Sequence, residues 1–139
     1  MPNRCRNRLI VFGFETEKDR EAFAEGTKAL EARPGEGIEA LSLARLVPIP
    51  HEEVNRADWC KENWGTNREA VRVTGPTEGN FCVFDSPAER GTLTYSFDTA
   101  WSFPRAWLAS VAKKYDKLGF ALVFAEEDWK VHGVTLWRD

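Results

Sequence analysis

Hydrophobic and polar positions divide this chain into a few clear elements. Arg8 to Phe14, RLIVFGF, is almost unbroken in apolar, branched and aromatic residues, and so is Phe120 to Ala125, FALVFA. Runs of this kind predict strands covered on both faces, hence central in a sheet. Thr92 to Asp98, TLTYSFD, alternates instead. Leu93, Tyr95 and Phe97 share one side and Thr94, Ser96 and Asp98 the other, the period of a strand with one wet face.

Two segments carry the helical period. Thr16 can cap a helix, with Asp19 where a capping box prefers Glu, and the pattern runs to about Leu30. Phe23 and Leu30, seven apart, fall on one face, and Ala22 and Ala24 allow close approach to a sheet. Arg33-Pro34-Gly35 predicts the stop. The second helix starts at Ser102 or Phe103, with Pro104 in its first turn. Trp107, Val111 and Tyr115 form its apolar stripe, broadened by Leu108 and Ala112, and Gly119 ends it.

The remainder is less regular. Ile38 to Pro50 predicts a short extended or helical piece and then a rigid loop. His51 to Asn63 reads as a turn or two of helix ending at Trp64-Gly65. Glu69 to Thr74 alternates as a strand, Gly75 to Asn80 reads as a loop, Phe81 to Phe84 as a short strand and Ser86 to Gly91 as a turn. Glu126-Glu127-Asp128 makes a charged turn before a last strand, Trp129 to Trp137. The order is β-α-(irregular)-β-β-α-β plus one strand. It predicts an α+β fold: a ferredoxin-like split βαβ sandwich, an antiparallel sheet with two helices on one face and an extra C-terminal hairpin strand. Residues 1–139 make a single domain, with an irregular insertion at about 38–65 that either roofs the other sheet face or leaves it open.

Charge and cysteines narrow the class. A net charge of −3 in 139 residues does not indicate a strongly basic nucleic-acid binder. Cys5, Cys60 and Cys82 are odd in number and lack metal or redox spacing, so they predict buried free thiols in a reducing cytoplasm. No apolar run approaches the ~18 residues of a membrane span, and the basic N-terminus lacks the apolar stretch of a secretion signal.

Candidate chemistry lies with tryptophan and arginine. Of the 6 tryptophans, Trp59 and Trp64 share the phrase DWCKENWGT, and Trp101 and Trp107 share FDTAWSFPRAWL. Trp59, Asn63, Trp64 and Trp101 with Asp98 could line a pocket, with rings for stacking and an amide and carboxylate for orientation. The favoured reading is of buried rings that pin a loop to the sheet, with Asp98 capping or bracing the turn at Thr99-Ala100. If the first strand begins early, Arg4, Arg6 and Arg8 point to one side as a basic stripe suited to phosphates or carboxylates; otherwise they are a solvated terminus. RNA-recognition domains share the strand order. Here, however, Arg90-Gly91-Thr92-Leu93-Thr94-Tyr95-Ser96-Phe97 has threonines at the first two stacking positions; Tyr95 and Phe97 could still stack bases, but they read rather as core. His51 and His132 are in no metal-spaced pair, no nucleotide-binding or nucleophile motif occurs, and no acid–base pair can be nominated. No catalytic residue, metal or cofactor is expected.

Four phrases, in order, carry a family resemblance: NRCRNRLIVFG at the start, LVPIP at Leu46 to Pro50, WCKENWGT at Trp59 to Thr66, and LTYSFDTAWSFP at Leu93 to Pro104. Together they resemble the YubB-like ferredoxin-fold family of small bacteriophage and plasmid proteins. The resemblance implies the fold and a setting in a bacterial host, and it implies no activity. This chain departs from the family at Arg4 and Arg6, where an aromatic residue and an acidic or polar one are common, and Gly75 to Arg90 is longer than is common. The resulting expectation is a non-enzymatic binding module of a phage or mobile element that contacts a host protein, for instance to inhibit a defence system. The alternatives are a nucleic-acid-binding domain using the open sheet face, and an enzyme with a tryptophan-lined small-molecule pocket.

Overall fold

The computed structural model describes residues 3–32, 37–79, 91–127 and 130–137. Five strands and four helices follow in the order β1 (Arg4–Phe12), α1 (Glu17–Thr27), α2 (Leu43–Leu46), α3 (Arg56–Asn63), β2 (Val71–Gly79), β3 (Thr92–Ala100), α4 (Arg105–Lys114), β4 (Gly119–Glu126) and β5 (His132–Trp137). The sheet order is β2-β3-β1-β4-β5, and every neighbouring pair is antiparallel. The first four strands have the ferredoxin-like arrangement, with β5 added beside β4 as the expected hairpin strand.

One face of the sheet makes the core. Leu9, Val11, Leu93, Tyr95, Phe97, Phe120 and Leu122 point from it toward Phe23 of α1 and Trp107, Leu108 and Val111 of α4, all buried. Thr16 caps α1 as its sequence predicts, its hydroxyl accepting from the Asp19 amide at 3.1 Å. The helix ends at Thr27, so Leu30 lies beyond it and is exposed, as is Ala22. The expected stop at Arg33-Pro34-Gly35 lies outside the described residues.

The insertion joins this helical layer. Leu41, Leu43, Leu46, Cys60 and Trp64 enter the same core cluster. Buried polar groups fix its path, because each must find a partner away from water. The Thr27 hydroxyl meets the Tyr95 phenol at 3.1 Å and donates to the Ala40 carbonyl. The indoles of Trp64 and Trp107 donate to the carbonyls of Val47 and Leu43 at 2.9 and 3.0 Å. The Glu69 carboxylate accepts from the Leu43 and Ala44 amides at 2.6 and 3.1 Å and so caps α2. Four helices thus cover the face for which the sequence predicts two.

The last strand starts at His132 rather than Trp129, and three further boundaries differ from expectation for local reasons. The first strand starts at Arg4, four residues before the apolar run, because Cys5 and Asn7 take the inward positions between the arginines. The second strand runs through the segment expected to be a loop, Gly75 to Asn80, as far as Gly79. It is an edge strand with two register shifts, and an edge tolerates Pro76, which has no amide to give. Finally, α4 ends at Lys114, and Gly119 opens β4, where a Cβ would run into the Phe12 ring.

Candidate functional site: the open face of the sheet

Side chains alternate along β1, so Cys5, Asn7, Leu9 and Val11 turn inward while Arg6 and Arg8 turn outward and are exposed. Asn7 is buried. Its amide donates to the carbonyl of Cys5 at 3.1 Å and to the Thr99 hydroxyl at 3.0 Å, a polar pin between β1 and β3. Across the sheet, Arg6 stands opposite Asp98 of β3 and Ala125 of β4, and Arg8 opposite Ser96 and Val123. Arg72 arrives from β2 at φ 52°, and its guanidinium lies 3.8 Å from the Asp98 carboxylate. Arg6, Arg8, Arg72, Ser96, Asp98, Val123 and Ala125 line a shallow depression of about 510 Å³. Beside it β5 presents Val134 and Leu136, 64% and 52% exposed. This face therefore joins three guanidinium groups and one carboxylate to an apolar margin.

Of the stripe Arg4, Arg6 and Arg8, the early start of β1 puts all three on one side, and the last two reach the depression. Arg4 sits at the end of the strand, its amide directed at Glu127. The sequence reading missed Arg72. The alternation of Val71 and Val73 with Arg72 and Thr74 is the signal that points it outward.

The tryptophan pocket does not assemble. Trp64 is a buried core ring, and Trp59 packs edge-on against it at 6.0 Å on the shoulder of α3. The amide of Asn63 is used within the helix, donating to the Trp59 carbonyl at 3.0 Å. Asp98 lies on the outer face of the sheet with Arg72. Trp101, half exposed at φ 70°, follows the end of β3, its amide held by the Asn3 carbonyl at 2.7 Å. It lines a separate depression of about 330 Å³ with Lys61, Asn67 and Ser102. The turn below it is braced by the Thr99 hydroxyl on the Ser102 carbonyl at 2.7 Å, rather than by Asp98.

Shifted groups belong to the core. Burial, aided by the Glu126 charge, pushes the Cys5 thiol up to about 11. Burial also raises Cys60 and Tyr95. All three moves favour the protonated form and oppose nucleophilic chemistry. Neither Cys5 nor Cys60 is bridged; Cys82, Trp129 and the short strand and turn expected over 81–84 and 86–90 lie outside the described residues. Tyr95 and Phe97 face the helices, as the sequence reading places them, so they offer no ring to a base on the open side.

Fold and site together define an α+β fold in which the described helices all lie on one face of the sheet. Residues 81–139, which include β3, α4, β4 and β5, match the family described as a ferredoxin-like domain in Api92-like protein. No curated protein and no solved structure matches the chain. Among the described residues no helix is long and apolar enough to cross a membrane.

Proposed function

We propose that this protein is a non-enzymatic binding module that docks a partner protein on the open face of its sheet. The observation that carries this reading is the place of the insertion. Residues 41–64 pack into the helical layer, so that no described helix lies on the opposite face, where Arg6, Arg8 and Arg72 stand beside apolar Val123, Val134 and Leu136. Arginine next to apolar surface is a common composition of interface hot spots. Trp101, half exposed at one end of the same sheet, adds an aromatic anchor. The resemblance to YubB-like proteins supports a phage or plasmid origin, action in the bacterial cytoplasm and a host factor as partner, such as a component of a defence system.

A photo-crosslinking residue placed at Val123, with a control at exposed Lys113 on α4, tests the reading in bacterial cells. A discrete protein adduct from the Val123 position alone is the expected result. Adducts from Lys113 alone, or from neither position, would refute it. The same arginines give a nucleic-acid reading some support, but the rings of Tyr95 and Phe97 on β3 are turned away from the open face. That reading predicts oligonucleotide affinity that falls steeply with salt.

A further inference from the structure

We infer that the open face takes an extended acidic segment of the partner, with carboxylates at alternate positions seated on Arg6 and Arg8. This rests on the docking reading above and adds the chemistry of what docks. Arg6 and Arg8 are exposed, project from the same side of one strand, and form no ion pair with any described residue. Their separation is that of residues two apart in a strand, about 7 Å. An extended peptide laid over the face carries its own alternate side chains at the same repeat, whichever way it runs. Each guanidinium can then grip a carboxylate through two hydrogen bonds.

Arg72 supplies the third contact, and Asp98 already shows its form. The Asp98 carboxylate stands opposite Arg6 in register and 3.8 Å from the Arg72 guanidinium. It is nearly buried, whereas the arginine side chain is 62% exposed. An incoming carboxylate would compete with Asp98 for Arg72, so Asp98 acts as an internal occupant of the site. The depression carries three positive groups against one negative, although the chain as a whole carries −3. That segregation is the charge complement of an acidic ligand. Val123, Ala125 and the valine–leucine margin on β5 suit protein side chains more than phosphates, and the aromatic rings of β3 are turned away from the face.

The probe is a fluorescent peptide of alternating Glu and Thr, about twelve residues long. A block arrangement of the same composition, an alternating Lys and Thr peptide and an oligothymidylate of similar length are the comparators. By anisotropy at low salt, the alternating acidic peptide should bind most tightly, and binding should weaken as salt rises. The Arg6→Ala, Arg8→Ala double variant should lose about tenfold in affinity, about 1.4 kcal/mol, with an unchanged thermal melt. Asp98→Asn, checked to be folded, should gain severalfold as Arg72 is released. Binding of the Lys peptide equal to the acidic one, tighter binding of the oligothymidylate, or no loss in the double variant would each overturn the inference. The Val123 crosslink separates the two readings. An adduct that persists while the acidic probe fails leaves docking in place and removes only the acidic partner.

Discussion

The two faces of this sheet obey opposite rules. On the helical side Trp64, Trp107 and Tyr95 are buried and their indole and phenol groups have partners: Trp64 with Val47, Trp107 with Leu43, Tyr95 with Thr27. On the other side, Arg6 and Arg8 stand exposed and valine and leucine meet water. A sheet can afford one wet face when its strands are antiparallel, and this one gives the dry face all of the insertion. The tryptophan phrases are therefore mostly architecture, and the arginines are the better guide to function.

The strongest way to break this comparison is to hollow the dry face. Trp107→Ala should destabilise the fold by about 3–5 kcal/mol, the range for removing a large buried ring, and it also takes one of two donors from the Leu43 carbonyl, which keeps the Val47 amide. Urea unfolding measures it. A loss below about 1 kcal/mol would mean that α4 does not pack as described.

The attachment of the insertion is the next target. Glu69→Ala removes the acceptor for the Leu43 and Ala44 amides. Hydrogen bonds to a charged group contribute roughly 1.5–3 kcal/mol, so a loss in that range is expected, with faster amide exchange confined to residues 41–47 if the segment opens locally. An effect spread evenly over the sheet would place the carboxylate's role elsewhere.

The dry face also predicts a pH response. The Cys5 thiol is held at about 11 against an ordinary 9.0, so the folded state keeps its proton longer than the unfolded chain. Its contribution to stability is complete below about pH 9 and is lost as pH climbs toward 11, because the unfolded thiol ionises first. Cys60 and Tyr95 shift in the same direction, so the comparison must be with Cys5→Ala, whose stability should fall less over that interval. An identical alkaline slope in both proteins would contradict the burial of this thiol.

What the sequence reveals follows the same division. Leu93, Tyr95 and Phe97 are legible because a strand with one wet face alternates plainly. The beginning of β1 is not, because its inward positions hold Cys5 and Asn7 and its outward ones arginine, so hydrophobicity alone starts the strand at Arg8. The path of β2 is hidden behind Gly75 and Pro76, which spell a turn wherever an edge strand does not absorb them. The outward direction of Arg72 can be read from alternation, but its approach to Asp98 depends on the irregular pairing at Val71 and Thr74. Nearness in sequence misleads for the rings. Five helical residues separate Trp59 from Trp64 by about 140° around the axis, so one sits on the shoulder of the helix while the other enters the core.

The smallest effect sharpens the contrast between Trp107 and its neighbour in the same phrase. Trp101 is half exposed and its φ of 70° is left-handed, a conformation that suits glycine and strains other residues. Removing its ring forfeits little burial, so Trp101→Gly should change stability by less than about 1 kcal/mol. Trp101→Ala loses the same ring but keeps a Cβ in the strained conformation. Glycine should therefore be the more stable replacement by about 1 kcal/mol, the reverse of the order expected in a strand or helix interior. Chemical denaturation of both variants decides it. If alanine proves the more stable, the turn does not hold this residue in the left-handed region, and the outward display of its ring is not built into the backbone.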